Sequence, residues 1–356
     1  MMDINDNSIY IVGVGACTNL GTNAPSTAAA VRAGIAGFSE DPRIVDETGN
    51  PVVLARASYI PDDAKGLKRF LVLGVSAAME AIESLGEEVK KIPSFPIIIG
   101  LPAQRPGLSE EIGNVFKEKF RDMLEEKCLI ADIETIHTGH AAGLTAIEKA
   151  CEKIQNNDID FCLVGGIDSY LELETLKWIE TCDQLHGAGE FNNAWGFIPG
   201  EASGFCFLAS GRAIREYNFI PLGEVVAAVT TIEKNLIKTR TVCLGEGLTE
   251  AFKQVFQRIP LTDVKINHVT CDLNGEPYRA DEFGYATTRL SRYFVDPSDF
   301  LTPADCWGDV GAASGPLFIS LAITAWRKGY AKGPYILLCA GSEGGQRSAS
   351  VIRKIM

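Results

Sequence analysis

Short runs of β-branched and aliphatic residues alternate along the chain with longer stretches whose apolar residues recur at helical spacing. Ile9–Val14, Phe95–Leu101, Ile133–Ile136, Phe161–Val164, Leu222–Thr231, Ile266–Cys271 and Tyr335–Ala340 read as buried strands. Thr27–Ala33, Lys65–Leu85, Leu108–Lys127, His140–Ile154, Leu248–Arg258 and Pro316–Trp326 read as helices. Glycines at 13, 15, 165, 166 and 341 read as the points where strands end. Strands that alternate with helices predict a layered α/β architecture.

One pattern occurs twice. Gly139-His140-Ala141-Ala142-Gly143 opens a helix that leads to the apolar run Phe161–Val164 and a glycine pair. Gly311-Ala312-Ala313-Ser314-Gly315 opens a helix that leads to Ile336–Ala340 and Gly341. An internal duplication accounts for both. No low-complexity linker separates the halves, and the seam is expected near Ser210–Tyr217, giving halves 1–214 and 215–356 that share one core.

Composition narrows the function. The formal net charge of −13 opposes contact with a phosphate backbone, so nucleic acid is not an expected partner. The ten cysteines form no Cys-x-x-Cys pair and sit in apolar contexts, as buried free thiols of a reducing compartment do. Met1–Ser8 is polar and lacks the basic and apolar regions of a secretion signal. No apolar segment approaches the roughly 20 residues that cross a bilayer, so a cytoplasmic location is expected.

Gly13-Val14-Gly15-Ala16-Cys17-Thr18-Asn19-Leu20-Gly21 has the wrong spacing for a dinucleotide loop, and no phosphate-binding lysine follows it. The segment resembles the opening of the β-ketoacyl synthase branch of the thiolase superfamily. Further matches follow in that family's order: Ala33-Gly34-Ile35-Ala36-Gly37, Phe197-Ile198-Pro199-Gly200-Glu201-Ala202-Ser203-Gly204, Gly311-Ala312-Ala313-Ser314, and Gly344-Gly345. The resemblance implies a thiolase-like fold, two pseudo-symmetric halves in α-β-α-β-α layers. It also implies a tight homodimer, or a heterodimer with an active ketosynthase, and contact with acyl carrier protein or acyl-CoA. Lys65, Lys68 and Arg69, or Arg347 and Arg353, are the candidates for a basic patch that would meet an acidic carrier. Glu201 is expected to have a structural part near the core.

Family condensation chemistry rests on a cysteine at the tip of a buried helix and on two histidines. The helix end lowers the thiol pKa and its N–H groups hold the oxyanion. A gapless count back from Gly165-Gly166 places His140 at the cysteine position, with Gly143 supporting the register. Asp272 takes the first histidine's place, beside Cys271 and in a loop with Asn274. Gly308 stands at the second histidine's position with Asp309 next to it, and Glu343 replaces the apolar gate residue. His140, Asp272, Asp309, Glu343, Cys271 and Asn274 are therefore the expected pocket positions.

Imidazole cannot replace a thiol and keep the same acyl-enzyme chemistry, because acyl-imidazoles hydrolyse readily. Little or no Claisen condensation is expected. A pseudoenzyme or partner subunit of acyl-thioester metabolism is one reading. A second is an acyl-thioester hydrolase or acyltransferase in which His140, kept neutral by the helix end, acts as base with a nearby carboxylate. A divalent ion held by the imidazole and carboxylates is a third, though spacing gives it no support, and no metal or cofactor is assigned.

Overall fold

The computed structural model describes residues 4–259 and 265–355. Met1–Asp3, the first part of the polar start, lie outside the described residues. Ten strands form one sheet: β1 (Ile9–Thr18), β2 (Phe95–Leu101), β3 (Ile130–His137), β4 (Phe161–Ser169), β5 (Glu201–Ser210), β6 (Gly223–Ile232), β7 (His268–Cys271), β8 (Phe300–Leu301), β9 (Tyr335–Gly341) and β10 (Gln346–Arg353). Ser39–Val45 and Pro51–Leu54 pair separately.

The strand order is β3-β2-β4-β5-β1 in one half and β8-β7-β9-β10-β6 in the other. These are the same order, and the parallel and antiparallel pairings also correspond. The two half-sheets join where Ile9, Tyr10 and Ile11 of β1 pair with Val225, Glu224 and Gly223 of β6. The expected boundary between residues 214 and 215 falls inside the helix Gly211–Tyr217, which lies between β5 and β6.

Period-two alternation sorts the strand side chains into layers. Along β5, Phe205, Phe207 and Ala209 enter one outer core with Phe70, Phe116 and Phe120, whereas Ala202, Cys206 and Leu208 enter the middle. The helices Ala142–Gln155 and Ser314–Lys328 contribute Leu144, Ile147, Leu317 and Phe318 to that middle core. The helices Glu246–Gln257 and Pro277–Arg289 cover the other outer face through Phe252, Val255, Phe256 and Phe283. The resulting layers are those of the thiolase-like α-β-α-β-α arrangement.

The glycines expected to end strands instead lie inside or at the last position of them: β1 continues to Thr18, β4 to Ser169 and β9 to Gly341. Their role is close packing. A Cβ on Gly166 would stand 2.1 Å from the carbonyl oxygen of Ala312, and one on Gly143 would stand 2.8 Å from the same atom and 2.5 Å from Pro316 Cδ. Bare glycines thus let the Gly311–Ala313 turn settle against β4 and against the start of the helix Ala142–Gln155. This packing brings the tip of one duplicated helix to the turn that opens the other. The expected helix Leu108–Lys127 is confined to Asn114–Leu124 because residues before it form turns.

Glu201 has the structural part expected of it. It is fully buried and pairs with Arg69, whose Nη2 donates at 2.6 Å. The Ala57 N–H and the Ser169 hydroxyl fill its remaining acceptor positions at 2.9 and 3.1 Å. Replacing Glu201 by Ala leaves the Arg69 guanidinium buried and unpaired, which costs about 3–5 kcal/mol. Urea denaturation should show that loss; an unchanged midpoint would contradict this role.

Candidate functional site

His140 lies in the turn just before the helix Ala142–Gln155, at the carboxyl side of β3. It is 7% exposed. Its Nε2 stands 2.9 and 2.8 Å from Asp309 Oδ1 and Oδ2. Asn274 Nδ2 donates to Asp309 Oδ2 at 2.6 Å, and the Gly311 N–H donates to Oδ1 at 2.8 Å. Burial by itself would raise the Asp309 carboxyl. The facing imidazole, the Arg279 charge and the Asn274 amide outweigh burial and hold it below the usual carboxylate range. An ionised carboxylate only accepts, so Nε2 carries the proton of this bond.

Arg279 is the centre that the sequence reading did not identify. It lies in the first turn of the helix Pro277–Arg289 and is 5% exposed. Nη1 donates to Asp272 Oδ2 at 3.0 Å and to the Gly341 carbonyl at 2.7 Å, while Nε reaches Glu276 Oε2 at 3.3 Å. Nη2 is 3.4 Å from Nδ1 and 3.3 Å from Nε2 of His140. An in-plane approach equidistant from both nitrogens would collide with the carbon between them, so the guanidinium sits over the ring face. Burial works against the Arg279 charge, but the Asp272, Glu276 and Asp309 carboxylates keep it protonated. A guanidinium is thus the cation that compensates the carboxylates around His140.

Glu343 joins at one remove. It accepts from Gln184 Nε2 at 3.0 Å and from Lys238 Nζ at 2.7 Å. Gln184 also donates to Glu276 Oε1 at 3.1 Å, and Lys238 lies 3.2 Å from the same oxygen. Burial would raise the Glu343 carboxyl, yet Lys238, helped by Arg279 and His140, lowers it. Five of the six expected positions, His140, Asp272, Asn274, Asp309 and Glu343, therefore belong to one hydrogen-bonded network.

Cys271 stands apart from that network. It is buried, and its thiol is directed at the Leu301 carbonyl, 3.7 Å away. Burial raises the thiols of Cys151, Cys162 and Cys271, which disfavours the thiolate a nucleophile needs. Cys151 lies well along the helix Ala142–Gln155 and Cys162 lies within β4.

A cavity of about 330 Å³ opens beside His140. Tyr170, Trp178 and Phe197 supply its aromatic wall, and Arg105, His137, His140, Gln184 and Glu343 are among its polar groups. Arg105 Nη2 donates to Asp168 Oδ1 and to the Ser169 carbonyl at 2.6 and 2.7 Å, and the guanidinium lies 4.1 Å from the Tyr170 ring centre. Asp168 Oδ2 accepts the Ala312 N–H at 3.0 Å.

Most cations proposed for a basic patch are already engaged. Arg69 is buried against Glu201, Lys68 pairs with Asp63 at 2.9 Å, Arg347 is fully buried with Glu282 at 2.6 Å, and Arg353 pairs with Glu224. Lys65 lines a separate cleft with Arg69 and with Arg43 and Arg56, the last two paired with Asp41 and Asp62. Among the described residues, no helix is long and apolar enough to cross a membrane.

The model of the β-ketoacyl synthase N-terminal domain matches residues 132–213. No curated protein matches the chain significantly. A structure described as a type II PKS acyl-carrier protein in complex with its ketosynthase bound to the hexaketide (AntDE:AntF) superposes with a TM-score of 0.82. It shares 13% identity, over 99% of this chain and 100% of that one. The ishigamide ketosynthase/chain length factor gives a TM-score of 0.78 at 14% identity, over 98% and 100% of the two chains. A ketosynthase from module 6 of the bacillaene synthase of Bacillus subtilis 168 gives 0.79 at 14% identity, over 98% and 72%. The chain is a protein of the thiolase-like fold. That fold is shared with these ketosynthases, and residues 132–213 are similar to the β-ketoacyl synthase N-terminal domain.

The Asp309 carboxyl generates a stability prediction. Its folded pKa is depressed, so it contributes stability above its unfolded pKa of about 3.9, and that contribution is lost as pH falls toward the folded value. Asp309→Asn should therefore be less stable than the parent at pH 7, by about 2–4 kcal/mol for a buried charged partner removed. The deficit should shrink below about pH 4. Urea titrations across pH check this; a deficit independent of pH would contradict it.

Proposed function

We propose that the protein is a non-condensing, ketosynthase-like member of acyl-thioester metabolism that acts as a partner subunit or pseudoenzyme. The observation that carries this reading is the helix tip. Where the related chemistry needs a thiol, His140 is clamped between Asp309 and the face of Arg279. Enolate formation needs donors that stabilise developing negative charge. Here Asp272 takes the first donor histidine's place, Gly308 the second's with Asp309 beside it, and Asp309 is held ionised. The likeness to a ketosynthase/chain length factor supports a heterodimer with an active ketosynthase, and a homodimer is the alternative assembly. The engaged basic residues give direct carrier-protein contact less support than the fold alone would.

A second reading rests on a different observation. An Asp309–His140 pair beside a cavity of about 330 Å³ is a base with its orienting carboxylate. If Nε2 is committed to Asp309, Nδ1 is the nitrogen left to activate water for thioester hydrolysis or to assist acyl transfer.

One assay set separates these readings. Purified protein incubated with an acyl thioester and malonyl-carrier protein should give no elongated product above the protein-free control. Elongation that disappears in His140→Ala would overturn the proposal. Co-expression with a ketosynthase from the native host should yield a stable mixed dimer. Hydrolysis of acyl-CoA or acyl-carrier thioesters, lost by about 100-fold or more in both His140→Ala and Asp309→Asn, would select the second reading.

A further inference from the structure

The charge balance around the His140 cavity restricts what can occupy it. The network bonded to His140 contains four carboxylates, Asp272, Glu276, Asp309 and Glu343, against two fixed cations, Arg279 and Lys238. Two negative charges remain uncompensated with a neutral imidazole, and one with an imidazolium. Arg105 adds no net positive charge, because Asp168 answers it at 2.6 Å. Its hydrogen-bonding capacity is nonetheless incomplete. Nη2 is occupied and Nε is enclosed without a partner, while Nη1 has no protein acceptor among the described residues and belongs to a side chain lining the cavity. Arg105 is itself 8% exposed, so the donor is built into the wall.

An arginine whose charge is already neutralised needs an acceptor oxygen, not a counter-ion. The aromatic lining, Tyr170 stacked on Arg105 together with Trp178 and Phe197, favours an apolar body. Glu343, on the same lining, shares the single Lys238 charge with Glu276, so the pair keeps a net negative charge that opposes an anion. We infer that the cavity selects uncharged acyl ligands, with a carbonyl oxygen on Arg105 Nη1 and the chain against the aromatic wall, and rejects acyl ligands that carry a free carboxylate. This rests on the acyl-thioester reading above and sharpens it: a pocket of this charge would exclude a malonyl-type group before any chemistry.

Binding can be followed by the fluorescence of Trp178, with Trp178→Phe as the control that assigns the signal. The ligands are hexanoyl-pantetheine and its carboxyl-terminated counterpart, the hexanedioyl monothioester of pantetheine, which lack the phosphates of coenzyme A. The full-length protein should bind the uncharged thioester about tenfold or more tightly than the carboxylated one. Glu343→Gln should narrow that gap, chiefly by tightening the carboxylated ligand. Arg105→Lys should weaken the uncharged ligand, and its circular dichroism would show whether the fold persists. Equal affinity for the two ligands, preference for the carboxylated one, or binding of neither would overturn the inference. None of these results bears on condensation, which the elongation assay measures separately.

Discussion

A guanidinium enclosed at the ends of two strands must have its charge answered, and the pocket is arranged around that requirement. Arg279 reaches Asp272 just beyond β7, the last carbonyl of β9, and Glu276 at the start of its own helix. Its remaining nitrogen covers the His140 ring from the other half of the molecule. Removing any one partner would leave another buried and unpaired, so the carboxylates, the imidazole and the arginine have to be understood as a unit.

The fold delivers these groups without depending on them. Gly166 and Gly143 admit the turn at Ala312, and that approach places a helix tip beside the residues preceding its duplicate. The family resemblance implies a thiol with two histidines on such a scaffold, whereas here an imidazole is clamped by a carboxylate and an arginine. What differs is the sign of the local field. A site that stabilises an enolate offers donors to growing negative charge, whereas this network carries more carboxylates than cations. Fold and chemistry are separable, and the second has to be argued from the residues in the pocket.

Much of the scaffold was legible in the sequence because buried parallel strands such as Phe95–Leu101 and Phe161–Val164 are nearly continuous apolar runs. The strands that escaped notice are polar or small. β10 carries Arg347, Ser348 and Ser350, all buried, with Arg347 answered by Glu282 and Ser350 by the Ala227 carbonyl. β5 begins Glu201-Ala202-Ser203-Gly204, which gives little strand signal. His140, Asp309, Asn274, Asp272 and Glu343 were found by register against the motifs of the resembled family. Arg279 was not, because its helix, Pro277–Arg289, has few apolar residues. One signal was present: an arginine in a helix's first turn opposes the helix dipole and implies a compensating partner. The contacts of Lys238 and Gln184 with Glu343 join distant segments and leave no local trace.

The central claim is that His140 is a proton donor to Asp309 through Nε2, clamped at the helix tip. Side-chain nitrogen NMR of protein labelled with ¹⁵N-histidine measures it directly; the chain has four histidines, and a His140→Gln sample assigns the resonances. The account predicts a protonated, hydrogen-bonded Nε2 whose resonance shifts when Asp309 is replaced by Asn. A bare Nε2 with the proton on Nδ1 alone, or a resonance indifferent to residue 309, would contradict it.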